Sequence, residues 1–179
     1  RTLAWEEALV LQPALLSGRR DAAGHLVRMA HPLPPHDGGA GSVEALINGL
    51  PFSLTESQIQ AWGQISADLA LQVPMQRLLQ ADVGAGKTVT ALLAMVSAVE
   101  NGFQAALLAP TEVLARQHYS SLGDLLTRAG LDVPLHLLTG KRSQAEKNEA
   151  LMRLAAGEAG IVVGTHALIQ EGVEIPQLA

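Results

Sequence analysis

At 179 residues, with a net charge of −5, 48% hydrophobic residues and no cysteine, the chain has the size and apolar content of one globular domain; disulfide frameworks and Cys-ligated zinc are excluded. Aromatics make up 3% of the residues, so the core must be aliphatic, as in buried parallel sheets, rather than that of an aromatic-rich sandwich. The acidic balance offers no basic stripe for gripping a phosphate backbone, and the longest apolar run, 91–99 interrupted by Ser97, is too short to cross a bilayer, so a soluble cytoplasmic chain with no membrane partner is expected.

In chain order, residues 2–16 carry Leu3, Leu9, Leu11, Leu15 and Leu16 with Glu6 and Glu7 near the start, which predicts an amphipathic helix. From 17 to 42, glycines, prolines and three histidines (His25, His31, His36) break any period and predict a flexible linker. The histidines lack ligand spacing, so a solvated loop is expected there rather than a metal site. Beyond it, aliphatic runs at 77–80, 104–109, 133–138 and 160–163 predict strands, alternating with helical patterns at 55–70, 86–100, 112–129 and 143–156. Gly102, Gly130 and Gly157 stand where helices should stop, and Ser143 with Glu146 forms a capping-box pattern. This alternation predicts βαβ units, an α/β fold with a parallel sheet flanked by helices.

The most specific segment is Ala81-Asp82-Val83-Gly84-Ala85-Gly86-Lys87-Thr88, placed between a predicted strand and a predicted helix. Binding a polyphosphate needs backbone N–H groups turned inward and gains from a helix N-terminus; Gly84 and Gly86 permit that turn. Lys87 is placed to reach the terminal phosphates and the Thr88 hydroxyl to ligate Mg²⁺, which implies ATP and Mg²⁺ as cofactors. Ala81 stands where the general pattern has its first glycine, a position that needs a small side chain. Upstream, Thr55 and Gln58 form a capping box, so Gln58 has an ordinary structural use. Its amide can also read the donor and acceptor of an adenine edge, with Phe52 near enough in sequence to stack on the base.

Four ordered segments carry a family resemblance: Leu50-Pro-Phe through Thr55 and Gln58; Arg77-Leu-Leu-Gln and the glycine-rich loop; Ala109-Pro-Thr-Glu-Val-Leu-Ala-Arg-Gln-His118; and Val162-Val-Gly-Thr-His-Ala-Leu-Ile-Gln170. With Trp5-Glu6-Glu7-Ala8-Leu9 ahead of them, they resemble the bacterial RecG helicases of superfamily 2 over nearly the whole chain. The resemblance implies a RecA-like P-loop NTPase fold and a monomeric motor that hydrolyses ATP to unwind and remodel branched duplex DNA, such as stalled forks and recombination junctions, in repair. It places Gln58 in the adenine-sensing motif, residues 81–88 in the phosphate motif, and Pro110, Thr111 and Glu112 together with Gly164, Thr165 and His166 in DNA-facing motifs. Ordinary strand-end turns with N-capping threonines are the plain alternative for the last six. Phosphoryl transfer asks mainly for positioning, so packing or hydrogen-bonding roles are expected of His118 and His166.

By the same resemblance, residues 1–20 are a helix trailing a wedge domain, 21–42 a linker, and 43–179 the first helicase lobe, truncated before the Walker B acidic pair. That pair and the arginine fingers of a second lobe are expected further along the parent protein, so this stretch alone is expected to turn over poorly. The phosphate-loop strand is expected to lack a neighbour, leaving the isolated chain marginal in stability. Three other readings remain at this point: a transcription-repair coupling translocase motor, a nucleotide-binding module without turnover, and a small-molecule kinase, which the Pro-Thr-Glu and Gly-Thr-His segments disfavour.

Overall fold

The structure is a computed structural model that describes residues 9–11, 33, 41–71, 75, 77–140, 144–169 and 173–179. Its centre is a three-stranded parallel sheet in the order β3, β5, β4, with β3 at Gln104–Leu108, β4 at Leu135–Leu138 and β5 at Gly160–Gly164. The register sets Ala105 beside Ile161, Leu107 beside Val163 and Leu137 beside Val163. Alternate residues face opposite sides. Ala105, Leu107, Leu137, Ile161 and Val163 point into the main core, whereas Ala106, Leu138 and Val162 point into a smaller one on the other face.

The main face is covered by α1 (Ser42–Gly49), α2 (Glu56–Leu69), α3 (Lys87–Glu100) and α4 (Glu112–Arg128). Every residue of α3 from Val89 to Ala98 is buried. A helix apolar all round belongs in the middle of a fold, and α3 lies against α1, α2, β3 and β5. The smaller face is covered by α5 (Gln144–Ala155), through Leu151 and Leu154, and by Val173 and Ile175.

The four expected strands and four expected helices after residue 50 form at the expected places. Gly102, Gly130 and Gly157 hold φ of 84°, 67° and 73°, the left-handed stop that ends each preceding helix. Ser143 of the expected capping box lies outside the described residues.

The expected helix over 2–16 does not hold at its described residues: Leu9–Leu11 is a strand, β1, paired antiparallel with β2 (Arg77–Leu79). Leu9 and Leu11 are two residues apart, the strand period, and the β-branched Val10 between them favours extended backbone. The phosphate-loop strand, expected to stand alone, therefore has β1 as a neighbour. The rest of 1–20 and the three histidines of the expected linker lie outside the described residues. Within that linker Leu33 is anchored: it is 2% exposed, and its N–H donates to the Leu69 carbonyl at 2.9 Å.

Helix α1 was not foreseen because its N-terminus is finished by a distant residue. Gly41 supplies no capping side chain; instead the Glu100 carboxylate, at the end of α3, accepts from the Ser42 N–H at 2.6 Å. At its other end a Cβ on Gly49 would run into the backbone of Ala129, so α1 and α4 meet closely there. No helix among the described residues is long and apolar enough to cross a membrane.

Candidate nucleotide and nucleic-acid site

Strand β2 leads into residues 81–88, which are exposed at 81–85 and turn into the first residues of α3. Gly84 and Gly86 hold φ of 82° and 79°, a conformation that L side chains rarely adopt. Gly86 is the N-cap of α3 and contributes no side chain, so the positive end of a fourteen-residue helix opens into the loop. Lys87 folds back over the turn, its Nζ donating to the carbonyls of Ala81 at 2.6 Å and Asp82 at 3.1 Å. Thr88 follows on the first turn of α3, half-buried.

Gln58 stands against this loop. Its Oε1 accepts from the Thr55 N–H at 2.8 Å while the Thr55 hydroxyl accepts from the Gln58 N–H at 3.3 Å, the complete capping box. Its Nε2 donates to the Ala85 carbonyl at 2.9 Å. Glycine at 86 makes that approach possible, because a Cβ there would collide with Nε2. Phe52 is 47% exposed in the bend before α2, and Ile59 on the first turn of α2 is 55% exposed. The two side chains are apolar surface at the end of α2 that carries Gln58.

The structure also brings together the ends of β3 and β5. The Ala109 N–H donates to the Gly164 carbonyl at 2.7 Å, which sets residues 110–112 beside 164–166. Pro110 and His166 are exposed, and exposed Thr111 caps α4 by accepting from the Leu114 N–H at 3.2 Å. Glu112 turns inward: its Oε1 lies 2.7 Å from where a Cβ on Gly140 would sit, and its Oε2 is buried without a partner among the described residues. Gly164 is buried, and a Cβ there would come to 2.5 Å from the Leu138 carbonyl; Thr165 is 3% exposed with its carbonyl accepting from the Leu168 N–H. Of the six residues expected to face DNA, Pro110, Thr111 and His166 thus present side chains outward. His118 is half-buried on α4.

Two groups were not singled out from the sequence. Thr139 and Gly140 follow β4 beside Glu112, with Thr139 Oγ1 buried and without a partner among the described residues; a Thr-Gly pair straight after an aliphatic run was the available signal. Arg77, at the start of β2, forks onto α2, with Nε and Nη2 on Asp68 Oδ2 and Nη1 on Gln64 Oε1. No sequence pattern links residues of those types across an intervening loop.

A parallel sheet flanked by helices, with a glycine turn opening onto a buried central helix, defines a RecA-like α/β fold. The family described as DEAD/DEAH box helicase matches residues 55–177, and the chain belongs to that family. Among curated relatives, "ATP-dependent DNA helicase RecG" of Streptococcus pneumoniae is 50% identical over 76% of the chain and 20% of its own length. The protein of the same name from Mycobacterium leprae is 40% identical over 98% of the chain and 24% of its own length. A solved structure, "Structure of RecG bound to three-way DNA junction", superposes with a TM-score of 0.75 at 39% identity, covering 83% of this chain and 20% of that one. The DUF1998 helicase MrfA bound to DNA, at 19% identity and a TM-score of 0.55, shares the fold. The chain therefore spans between a fifth and a quarter of these RecG relatives.

Proposed function

We propose that this chain is the nucleotide-binding part of an ATP-driven DNA helicase or translocase that unwinds and remodels branched DNA in repair and recombination. The observation that carries the nucleotide half is the convergence on one turn of two left-handed glycines, a helix N-terminus, the Lys87 ammonium and the Gln58 amide. Together they supply inward N–H donors and a cation for a triphosphate, and an amide able to read a base at the same end of α2. A bound Mg²⁺ would neutralise charge on the phosphates, and the donor set suits it: Thr88 offers a hydroxyl oxygen in the position from which such loops ligate the ion.

The DNA half rests on the paired strand ends and on the RecG relatives. Thr111 and the backbone around 164–166 sit at the edge where open α/β sheets bind ligands, and they can meet phosphate oxygens without a basic surface. The same reading carries with it a cytoplasmic location and action as a monomer.

The test is ATP binding and hydrolysis, with and without forked DNA, by the native protein that carries this segment. Fork-stimulated hydrolysis that Lys87→Ala abolishes is the expected result. ATP binding unchanged by Lys87→Ala would overturn the assignment of the loop.

A further inference from the structure

We infer that the ion pair between Arg77 and Asp68 is a positioning device for base recognition, fixing the register of α2 on the phosphate-loop strand so that Gln58 stands where the base is read. The inference rests on the proposed nucleotide role of Gln58 and deepens it.

Helix α2 is held by little apolar surface. Trp62 and Ile65 are its buried apolar side chains, Leu69 is half-buried, and the helix rests on α3. Apolar contact is non-directional, so a stripe that narrow leaves sliding and rotation of the helix weakly opposed. Directional bonds add to the register, and two sets of them, one toward each end, tie α2 to the phosphate-loop strand and its loop.

At the N-terminal end the Gln58 amide bonds Ala85 of the loop. Toward the C-terminal end the Arg77 guanidinium places Nε at 2.8 Å and Nη2 at 2.5 Å from Asp68 Oδ2, and Nη1 at 2.7 Å from Gln64 Oε1. Gln64 and Asp68 are one turn apart on the same face, so a planar fork that engages both fixes the helix in translation and in rotation. Both charged side chains are 31% exposed, which shields the pair in part from screening by salt.

Arg77 begins β2, and β2 runs directly into the loop. The two sets of bonds thus join the same two elements at points about 15 Å apart along the helix, ten residues at ~1.5 Å each. Strand, loop, Gln58, α2, Asp68 and Arg77 close a ring, in which the base-reading and phosphate-reading groups keep one spacing.

The test compares affinities for ATP, GTP and inorganic tripolyphosphate in the native protein that carries this segment and in its variants. Asp68→Ala and Arg77→Lys should each weaken ATP about five- to tenfold and lower the preference for ATP over GTP. Both should leave tripolyphosphate within about twofold, since the loop itself is untouched. Asp68→Asn, which keeps an oxygen for the guanidinium, should recover most of the loss. In a Gln58→Ala background Asp68→Ala should cost ATP nothing further. ATP and tripolyphosphate falling together, or an unchanged ATP to GTP ratio, would overturn the inference and leave the pair as general scaffolding. A parent chain whose tripolyphosphate binding ignores Lys87→Ala would instead bring down the nucleotide reading, and the inference with it.

Discussion

The side-chain amide of Gln58 donates to the main-chain carbonyl of Ala85 at 2.9 Å, across 27 residues of sequence, while its oxygen accepts from the Thr55 N–H. One residue therefore finishes the N-terminus of α2 and braces the phosphate turn. The capping contact and the bracing contact use the two ends of the same amide.

That contact separates the two loop glycines. Gly84 and Gly86 have nearly the same φ, 82° and 79°, but a Cβ on Gly84 meets nothing within 4 Å, whereas one on Gly86 strikes Gln58 Nε2. Gly84→Ala should cost about 1 kcal/mol, the strain of a left-handed alanine alone. Gly86→Ala should cost roughly 2–3 kcal/mol, because it adds a displaced Gln58 to that strain. Chemical denaturation of the two variants measures the difference, and equal losses would show that the Gln58 contact contributes nothing.

A second prediction concerns α1, whose N-terminus is capped from α3. Glu100→Ala should destabilise the chain by about 1 kcal/mol, the usual worth of a cap with favourable charge at a helix N-terminus. Gly41→Ser cannot supply a local cap beside the native glutamate, since a Cβ at 41 runs into the Glu100 carboxylate. With Glu100 removed, the serine should restore most of the lost stability. The double variant being as unstable as the sum of the single ones would refute the borrowed cap.

These contacts also mark how far the sequence could be read. Helix α3 was legible because an apolar run longer than a strand follows a glycine turn, and the strands were legible as short aliphatic runs between longer helical patterns. The box at Thr55 and Gln58 and the glycine turn ahead of α3 were local patterns and formed as such. What stayed hidden was non-local. Helix α1 takes its cap from 58 residues away, Leu33 is drawn inward by the Leu69 carbonyl from a stretch rich in breakers, and Leu9–Leu11 takes its conformation from pairing with β2. Glu112, identified as a DNA contact by motif position, turns toward Gly140 instead, because β4 ends beside it.

At the paired strand ends, Thr111 is exposed and caps α4, so Thr111→Ala should cost ~1 kcal/mol of stability. If the hydroxyl acts only as a cap, Thr111→Asp, which also caps helices well, should restore stability and DNA affinity together. A hydroxyl that meets a DNA phosphate instead predicts that the aspartate restores stability and weakens DNA binding further, since two anions then face each other. Fork binding beside thermal unfolding of the three proteins decides it; the proposed function expects the second pattern.

Gln104 gives the sharpest stability prediction. It is a polar residue with 0% exposure at the start of β3, and every polar group of its side chain is engaged. Nε2 donates to the Leu154 carbonyl at 2.8 Å and the Glu158 carbonyl at 3.3 Å, while Oε1 accepts from the Gln177 N–H at 2.9 Å. Its own backbone bonds Gln177 and Ala179. One amide thus ties the end of α5 and the segment 173–179 to the central sheet. Leucine has nearly the same shape, so Gln104→Leu leaves the packing volume almost unchanged and isolates the polar loss. It removes a partner from the buried Leu154 carbonyl, which keeps the Gly157 N–H at 3.0 Å, and from part-buried groups at Glu158 and Gln177 that water can reach more easily. We therefore expect Gln104→Leu to lose roughly 1–3 kcal/mol, with amide exchange rising first at Gln177 and around Glu158. ATP affinity should move little, because Gln104 lies at the end of β3 away from residues 110–112 and does not touch the phosphate loop. A stable Gln104→Leu protein with unchanged exchange at Gln177 would show that the apolar packing of β3 alone holds these elements.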